Sequence, residues 1–280
     1  MASETNPTIR DCLKRRSLPR LETSLLLAFV LGRSREWLIA HDDELLAPDQ
    51  YDAYLALEAR RQQGEPIAYL VGQREFMSLP FAVDPAVLIP RPETELLVEK
   101  ALEFISTVAK PEVLELGTGS GIIAICLAKA MPNAQITATD ISEAALTVAR
   151  QNAERLNVSV EFLAGEWFGA LADQQRFDLI VSNPPYVHPQ DPHLAEGDLR
   201  FEPKQALTDG VNGLAAFDVI ISGARERLRP GGWLWLEHGF DQAQDVTQRF
   251  EQEGFNHIKT FFDVGGKPRV SGGSYNERDG

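Results

Sequence analysis

The chain has 280 residues, of which 44% are hydrophobic and 24% are charged, a composition typical of a folded protein with one large domain or two modest ones. Its 27 Lys and Arg stand against 41 Asp and Glu, so the net charge is -14. Such a charge disfavours binding to a nucleic-acid backbone and favours protein or small-molecule partners.

The cysteines, the histidines and the first residues argue against several further classes of protein. Cys12 and Cys126 lie far apart and indicate neither a disulfide framework nor a ligand pair. The five histidines are scattered, and the sequence predicts no metal site. The opening residues, MASETNPTIR, contain no apolar signal segment, and no apolar run is long enough to span a bilayer. We therefore expect a cytoplasmic protein without a membrane association.

Residues 1–66 are predicted to form a helical domain. The stretch RLETSLLLAFVLGRS, from Arg20, predicts a helix with Leu21, Leu25, Ala28, Phe29 and Gly32 on one face, and Gly32 suits the helix end. A second helix is predicted from Pro48, because PDQYDAYLALEARRQQGEP opens with proline and ends in basic residues before a glycine. A small helical bundle is sufficient to explain this region.

Residues 67–90 are predicted to be a hairpin linker, since the segment is apolar and broken by glycine and prolines. Residues 91–280 form the second predicted domain, which begins with a helix near Thr94. After Pro111 the chain alternates strands and helices, which is typical of an α/β fold with a mostly parallel sheet. Strands are predicted at 112–116, 135–139, 158–163, 177–182 and 233–238, helices at 122–129, 143–156, 214–228 and 242–253, and an antiparallel edge pair near 257–264 and 268–272.

A glycine-rich loop follows the first of these strands, in the stretch EVLELGTGSGIIAICLA. The glycines allow a sharp turn and a close approach of a ligand to the backbone. The alternative is a plain tight turn into a helix. In a strand–loop–helix context the loop predicts a nucleotide-containing cofactor. The candidate cofactor-binding residues here are Gly117, Thr118, Gly119, Ser120 and Gly121.

Asp140 ends the next predicted strand, where its carboxylate can accept hydrogen bonds from both hydroxyls of a ribose. The alternative is that Asp140 or Ser142 caps the following helix, and both roles are compatible. These features fit either a nicotinamide dinucleotide or S-adenosylmethionine.

Glu115 favours S-adenosylmethionine, because a carboxylate beside the loop repels a pyrophosphate and attracts an ammonium group. The third glycine also comes one residue earlier than in the dinucleotide pattern. Glu115 as a solvated strand-end acid is the alternative. Trp167, after the third strand, is a candidate to stack on adenine, with packing in the core as the equal alternative.

The stretch FDLIVSNPPYVHP places Asn183, Pro184, Pro185 and Tyr186 at the end of the fourth strand. Ligands of such sheets lie at the carboxyl ends of the strands, so Asn183 is expected near the cofactor's methyl group. The amide oxygen of Asn183 and the carbonyl of Pro184 are two acceptors for one NH2 group, and Pro185 restricts the carbonyl's direction. Tyr186 offers a flat face to a planar substrate. The alternative is a turn, since Asn-Pro commonly starts one.

Together these residues resemble the class I S-adenosylmethionine-dependent methyltransferases, and more narrowly the PrmC/HemK family of release factor glutamine methyltransferases. LIPRPETE, ELGTGSG, SNPPYV, DPHLAEGDLRFEP and LEHG occur in the family's order, over nearly the whole chain. The resemblance implies a Rossmann-like methyltransferase domain behind a helical substrate-docking domain. It implies methylation of the glutamine side-chain amide in the Gly-Gly-Gln loop of bacterial class 1 peptide chain release factors, with S-adenosylhomocysteine as the product.

On this resemblance residues 117–121 and Asp140 bind the cofactor, Trp167 lies by adenine, and residues 183–186 hold the glutamine. GEWF departs from the pattern, since many relatives carry Asp where Glu166 stands. Arg91 and Arg200 are expected to meet either a ligand or a plain ion-pair partner.

Three other functions share some of these features. A nucleic-acid exocyclic-amine methyltransferase uses similar chemistry, but a basic stripe and a target-recognition domain are missing from the sequence. In a nicotinamide-dependent oxidoreductase, residues 183–186 would have no function in the reaction. A non-enzymatic adaptor that binds through its helices predicts no catalytic effect of Asn183→Ala.

Overall fold

The computed structural model describes residues 6–276 and contains two compact units. The first unit holds the chain up to Gln73 together with Glu196–Phe201, and the second holds Arg74–Ala195 and the chain from Glu202 onward. Residues 1–5 and 277–280, which the sequence assigned to the helical and methyltransferase domains, lie outside the described residues.

The first unit is helical. Thr8 caps its first helix in a reciprocal pair with Asp11, Pro48 opens the fourth helix, and Gly32 ends the second with a positive φ of 60°. Its helices are α1 Ile9–Lys14, α2 Arg20–Leu31, α3 Arg35–Ala40, α4 Pro48–Gln62 and α5 Ile67–Val71.

The buried face of α2 differs from the predicted one. Leu26 and Leu27 are fully buried in the helical core with Tyr54, whereas Leu21 and Phe29 are 53% and 51% exposed. The prediction of the buried face from Leu21 and Phe29 was wrong. Leucine, alanine, phenylalanine and valine fill nearly every position of this helix after Ser24, so the apolar period does not select one face.

The predicted hairpin is present but is shorter than the predicted linker. It consists of β1 Gln73–Phe76 and β2 Leu79–Ala82, joined by Met77 and Ser78, both of which have positive φ. Residues 67–71 form α5, a helix between Pro66 and Gly72. A five-residue apolar run after a proline fits a strand or a short helix equally well, which explains the difference.

The second unit contains one seven-stranded sheet with helices on both faces. Its helices and strands are α6 Thr94–Ile105, β3 Glu112–Leu116, α7 Ile122–Ala130, β4 Gln135–Asp140, α8 Glu143–Leu156, β5 Glu161–Ala164, β6 Phe177–Ser182, α9 Lys204–Leu207, α10 Ala215–Ala224, β7 Leu228–Glu237, α11 Ala243–Gln252, β8 Asn256–Phe262 and β9 Pro268–Tyr275.

The strand order is β5-β4-β3-β6-β7-β9-β8. The first five strands are parallel, and β9 is antiparallel to both β7 and β8. The predicted α/β class, the mostly parallel sheet and the antiparallel edge pair are therefore confirmed. Because β3 lies between β4 and β6, the loops that follow these three strands emerge side by side.

The sheet separates two apolar cores. Leu97, Ile123 and Leu127 belong to the core on one face, and Phe217 and Phe250 to the core on the other. All five side chains are at most 2% exposed. This burial holds the strand ends in place, and the site is built on those ends. Within residues 6–276 no helix is both long and apolar enough to cross a membrane.

Strand β7 begins earlier than predicted. It starts at Leu228 and includes Pro230 and two glycines, a combination that predicts a turn. The register against β6 shifts between Phe177 and Leu179, which accommodates this irregular start. The preceding helix accordingly ends at Ala224.

Candidate active site

The glycine-rich loop is tied to the neighbouring strand. The backbone N–H groups of Gly117 and Thr118 donate to the carbonyl oxygen of Thr139 on β4, at 2.9 and 3.0 Å. Gly117, Gly119 and Gly121 all have positive φ, between 56° and 84°, a conformation that costs glycine little and other residues more. The loop therefore presents its backbone at the edge of the sheet.

The glycines of this loop differ in what surrounds them. A Cβ on Gly119 would have no atom within 4 Å, whereas a Cβ on Gly121 would lie 2.8 Å from Ile125 Cδ1 and 3.2 Å from Ala149 Cβ. Gly119 thus leaves room for a ligand, and Gly121 allows α7 and α8 to pack closely.

Asp140 holds the loop and keeps acceptor capacity. Its Oδ2 accepts from the backbone N–H of Gly119 and its Oδ1 from that of Ser142, both at 2.8 Å. A carboxylate oxygen can accept two hydrogen bonds, so each oxygen retains capacity for one more donor. Ser142 caps α8 by accepting from Ala145 N. Ser142 is therefore the cap of α8, and the role of ribose acceptor stays a prediction for Asp140. Burial raises the pKa of Asp140, and its backbone donors oppose that rise.

Glu115 is buried beneath the loop and is not a solvated acid. Only 1% of it is exposed, and its Oε2 accepts from Thr118 Oγ1 at 2.7 Å and from Ala124 N at 2.9 Å. Burial raises the pKa of this carboxyl to about 8, and the two donors oppose the rise. A cationic ligand in the cleft would stabilise its ionised form.

Trp167 follows β5 and lines the same cleft with positive φ of 47°, an uncommon conformation for a bulky residue. Thr139 Oγ1 donates to its carbonyl oxygen at 3.0 Å, which helps to hold the backbone there. Ile141 also lines the cleft and is 63% exposed. The sequence reasoning missed Ile141. Its position directly after Asp140 is the signal that was available.

Asn183 comes directly after β6, half-buried, and lines the cleft. Its Nδ2 donates to Thr94 Oγ1 at 3.2 Å. No group among residues 6–276 donates to its Oδ1 or to the carbonyl oxygen of Pro184. Asn183 Oδ1 is therefore available to a substrate in the cleft, whereas Pro184 is buried and does not line it.

Tyr186 lies behind the cleft and does not line it. Its hydroxyl donates to Glu237 Oε1 at 3.3 Å, and its carbonyl oxygen accepts from Gln242 Nε2 at 3.0 Å. Burial and the neighbouring Glu237 raise the pKa of Tyr186. Glu237 is fully buried at the end of β7, and burial raises the pKa of its carboxyl to about 7. The sequence reasoning missed Thr94 and Glu237. Glu237 stands in LEHG, which was noted only as a motif.

The cleft gathers most of the predicted residues from separate elements. Pro184, Tyr186 and Gly121 do not contribute to its wall. The predicted residues that line it are Glu115, Gly117, Thr118, Gly119, Ser120, Asp140, Trp167, Asn183 and Pro185.

The end of the predicted linker also lines the cleft through Ala86, Val87, Leu88 and Pro90, as does Arg91 at the start of the predicted methyltransferase domain. Arg91 forms an ion pair with the buried Glu202 of RFEP, and Glu202 Oε2 accepts from Ile89 N at 3.0 Å. Glu166 lines the cleft as well. Arg200 belongs to the helical unit, where it donates to Gln63 O at 2.6 Å. Within residues 6–276 no group of three His, Cys, Asp or Glu side chains could hold a metal ion.

Comparison with known proteins decides the family. The sequence pattern described as "Methyltransferase small domain" matches residues 92–202, and that of the "PrmC N-terminal domain" matches residues 8–72. A release factor glutamine methyltransferase of Bordetella pertussis is 53% identical over 265 residues, which cover 95% of this chain and 98% of that protein. The chain belongs to the release factor glutamine methyltransferase family.

A second relative with the same name, from Burkholderia pseudomallei, is 50% identical over 272 residues and 95% of each chain. Among solved structures, a methyltransferase from Pyrococcus furiosus shares the fold, with a TM-score of 0.54, 22% identity and coverage of 79% of this chain and 98% of that one. The enzyme is an S-adenosylmethionine-dependent methyltransferase.

The residues of this methyltransferase's cleft fit that cofactor. Asp140 has acceptor capacity for a ribose diol, Gly119 leaves open space beside the loop, and Ile141 and Trp167 present apolar surface for an adenine. The buried Glu115 also lines the cleft and suits an ammonium group. When bound, the cofactor supplies a methyl group made electrophilic by a positively charged sulfur.

Proposed function

We propose that this enzyme methylates the side-chain amide nitrogen of the glutamine in the Gly-Gly-Gln motif of bacterial class 1 peptide chain release factors. In this proposal residues 117–120, Asp140, Glu115 and Trp167 hold the cofactor. Asn183, Pro184, Pro185 and Tyr186 form the glutamine site. A release factor as substrate places the enzyme in the cytoplasm.

One observation carries the proposal. Asn183 donates its NH2 group to Thr94 and keeps an amide oxygen without a protein donor, at the wall of the cleft that contains Asp140 and Gly119. The Pro184 carbonyl, one residue further on, also lacks a protein donor within residues 6–276. Two adjacent acceptors match the two hydrogens of a primary amide.

These acceptors address the chemical difficulty of the reaction. The lone pair of an amide nitrogen is delocalised into its carbonyl, so the nitrogen is a poor nucleophile. Hydrogen bonds from both N–H groups to Asn183 and Pro184 increase electron density on nitrogen and orient it. Orientation of this kind can supply about 7–11 kcal/mol of the barrier. Each acceptor that binds more strongly in the transition state adds about 2–4 kcal/mol.

A strong base is not required in this scheme. Positive charge develops on the nitrogen as the new N–C bond forms, and the nitrogen then loses a proton readily. The role of the clamp is therefore to hold and polarise the amide until the bond has formed. Pro185 stiffens the backbone that carries the Pro184 carbonyl.

The helical unit is assigned to docking of the release factor in this proposal. Its match to the PrmC N-terminal domain pattern supports the assignment. The net charge of -14 favours a protein partner over a nucleic acid. The domain limits at residues 66 and 90 remain predictions of the sequence.

The nucleic-acid alternative is the natural competitor, because an exocyclic base amine presents the same NH2 group as an amide. The printed names of the relatives favour the protein substrate. Offering the enzyme a release factor and a nucleic acid in parallel shows which of the two it methylates.

The test uses S-adenosylmethionine with a labelled methyl group, a purified class 1 release factor and, in parallel, DNA and rRNA. We expect the label on the glutamine side chain of the release factor, located by tandem mass spectrometry of its peptides. Asn183→Ala should abolish the label, and Asn256→Ala, which changes an exposed residue at the start of β8, should not. Label on nucleic acid alone would contradict the proposal.

A further inference from the structure

Two buried polar residues lie behind Asn183 and connect it to Tyr186. Thr94, the first residue of α6, accepts from Asn183 Nδ2 at 3.2 Å. The hydroxyl of Tyr186 donates to Glu237 Oε1 at 3.3 Å, and the Thr94 hydroxyl also lowers the pKa of that carboxyl without forming a hydrogen bond of ordinary geometry to it. Thr94 is 1% exposed and Glu237 is 0% exposed. The two therefore link the ends of the Asn183–Tyr186 segment inside the protein.

The surroundings of Glu237 do not provide a salt bridge. Arg269 on β9 and Glu93 next to α6 act on it electrostatically with opposite signs, and neither forms an ion pair with it. Arg269 is instead paired with Asp263 at 3.1 Å. Glu237 Oε2 has no hydrogen-bond donor of ordinary geometry within residues 6–276. A buried carboxylate with so few partners is costly for stability, so a structural role alone does not account for it.

The direction of each hydrogen bond follows from the number of protons. A threonine hydroxyl has one proton, and an ionised carboxylate only accepts. If Thr94 gives its proton to Glu237, whose Oε2 has no donor of ordinary geometry within residues 6–276, the Thr94 oxygen can only accept from Asn183 on its other side. The Asn183 amide must then turn its NH2 group towards Thr94, which leaves Oδ1 for the cleft.

The opposite arrangement is harmful to the reaction. If the Thr94 proton points to Asn183, the amide is stable when rotated by half a turn, with Oδ1 towards Thr94. The NH2 group of Asn183 then faces the NH2 group of the substrate, and two donors meet without an acceptor.

We propose that Thr94 and Glu237 are positioning residues that hold Asn183 with its amide oxygen towards the substrate nitrogen. This inference rests on the proposed role of Asn183 as an acceptor. Neither residue touches the reacting atoms. Each acts through the orientation of the asparagine, and Glu237 also fixes Tyr186.

Glu237 also makes the rate of methyl transfer depend on pH. Burial raises the pKa of the Glu237 carboxyl to about 7, so it is ionised above that pH and neutral below it. A neutral Glu237 carboxyl can itself donate a hydrogen bond. The Thr94 proton is then no longer directed towards Glu237, and the orientation of Asn183 is no longer fixed. The rate of methyl transfer should therefore fall as the pH drops through about 7.

The test uses Thr94→Val, Thr94→Ser and Glu237→Gln, with the release factor as substrate and kcat, KM and cofactor Kd measured for each. Thr94→Val keeps the shape and removes the hydroxyl, and we expect kcat to fall roughly 30-fold with a cofactor Kd within about threefold. Thr94→Ser keeps the hydroxyl and should stay within about threefold of the wild type in kcat.

Glu237→Gln tests the charge. We expect kcat to fall roughly 10-fold, and the decline of rate between about pH 8 and pH 6 to disappear relative to the wild type. If Thr94→Val does not bind the cofactor, the pH profiles of the wild type and Glu237→Gln decide whether the positioning role holds. The inference is overturned if Thr94→Val retains the wild-type kcat, if Thr94→Ser loses as much as Thr94→Val, or if Glu237→Gln keeps the wild-type pH profile.

Failure of this inference is distinguishable from failure of the proposed function. A wild-type enzyme that leaves the release factor unmethylated contradicts the function itself. A wild-type enzyme that methylates it, alongside a Thr94→Val variant of equal kcat, contradicts only the positioning role.

Discussion

Two buried carboxylates near the carboxyl ends of sheet strands differ in the hydrogen bonds that they accept. Glu115, on the side of the glycine loop, accepts from Thr118 and from Ala124. Glu237, on the side of Asn183, has one oxygen bonded to Tyr186 and one without a donor of ordinary geometry within the described residues. The donors to Glu115 come from the glycine loop and from α7, whereas Glu237 Oε2 and Asn183 Oδ1 have no donor of ordinary geometry within residues 6–276. An incoming amide NH2 group can donate to Asn183 Oδ1, which lines the cleft, whereas Glu237 is fully buried and does not line it.

Removal of the acceptor on the substrate side should have the largest effect. In Asn183→Ala, one of the two hydrogen bonds to the glutamine nitrogen is lost, and we expect kcat to fall roughly 10²–10³-fold. None of the hydrogen bonds of the glycine loop, Asp140 or Glu115 involves this amide, so the Kd for S-adenosylmethionine should change by less than about threefold. Steady-state kinetics and calorimetry measure the two quantities. Equal losses in kcat and cofactor affinity would contradict the separation of the two sides.

A change on the cofactor side should produce the converse pattern. Asp140→Asn retains the size of the side chain but replaces one acceptor oxygen by a donor, and it removes the charge. Hydrogen bonds to charged groups contribute about 1.5–3 kcal/mol, so we expect the cofactor Kd to rise roughly 10–100-fold. At saturating cofactor, kcat should remain near the wild-type value. Glu154→Gln, a change of an exposed acid on α8, is the control and should leave both unchanged.

Two of the three loop glycines, Gly119 and Gly121, sharpen the comparison further. Gly121→Ala places a Cβ 2.8 Å from Ile125 Cδ1 at a φ of 84°, and we expect it to lower the free energy of unfolding by about 2 kcal/mol. Gly119→Ala meets open space, so its effect should be smaller on stability and larger on the cofactor Kd. Denaturant unfolding and calorimetry on both variants test this. A larger loss of stability in Gly119→Ala would show that the loop is packed differently.

The pH dependence of stability reports on Glu115. In the folded enzyme its pKa is about 8, above its ordinary value of 4.5. Between these pH values the folded state binds more protons than the unfolded state, so the stability from this group is complete below pH 4.5 and is lost as the pH rises through 8. We expect the wild type without cofactor to lose about 2 kcal/mol more than Glu115→Gln between about pH 6 and pH 8. Parallel pH curves for the two proteins would contradict the assignment.

The sequence predicts the methyltransferase unit well because its signals are local. Strands β3, β4 and β7 are each followed by a helix, and the parallel order brings the strand ends to one edge. Asp140 and Asn183 could therefore be placed near the glycine loop without a structure. The predicted roles of these residues remain proposals.

The features that the sequence did not reveal depend on distant contacts. Thr94 is 89 residues from Asn183 in the chain, and its hydroxyl has no local pattern that distinguishes it from a helix cap. Tyr186 was predicted as a flat face for the substrate, but its hydroxyl bonds to Glu237, 51 residues away. The buried face of α2 was missed for a different reason, since an almost uniformly apolar helix has no readable period.

The central claim is that Asn183 and Pro184 accept the two hydrogens of one glutamine amide beside the cofactor cleft. A crystal structure of the enzyme with S-adenosylhomocysteine and the release factor tests it most directly. The account predicts the glutamine nitrogen at about 3 Å from both Asn183 Oδ1 and the Pro184 carbonyl oxygen. A glutamine nitrogen bonded to other groups, with Asn183 Oδ1 turned towards Thr94, would contradict it.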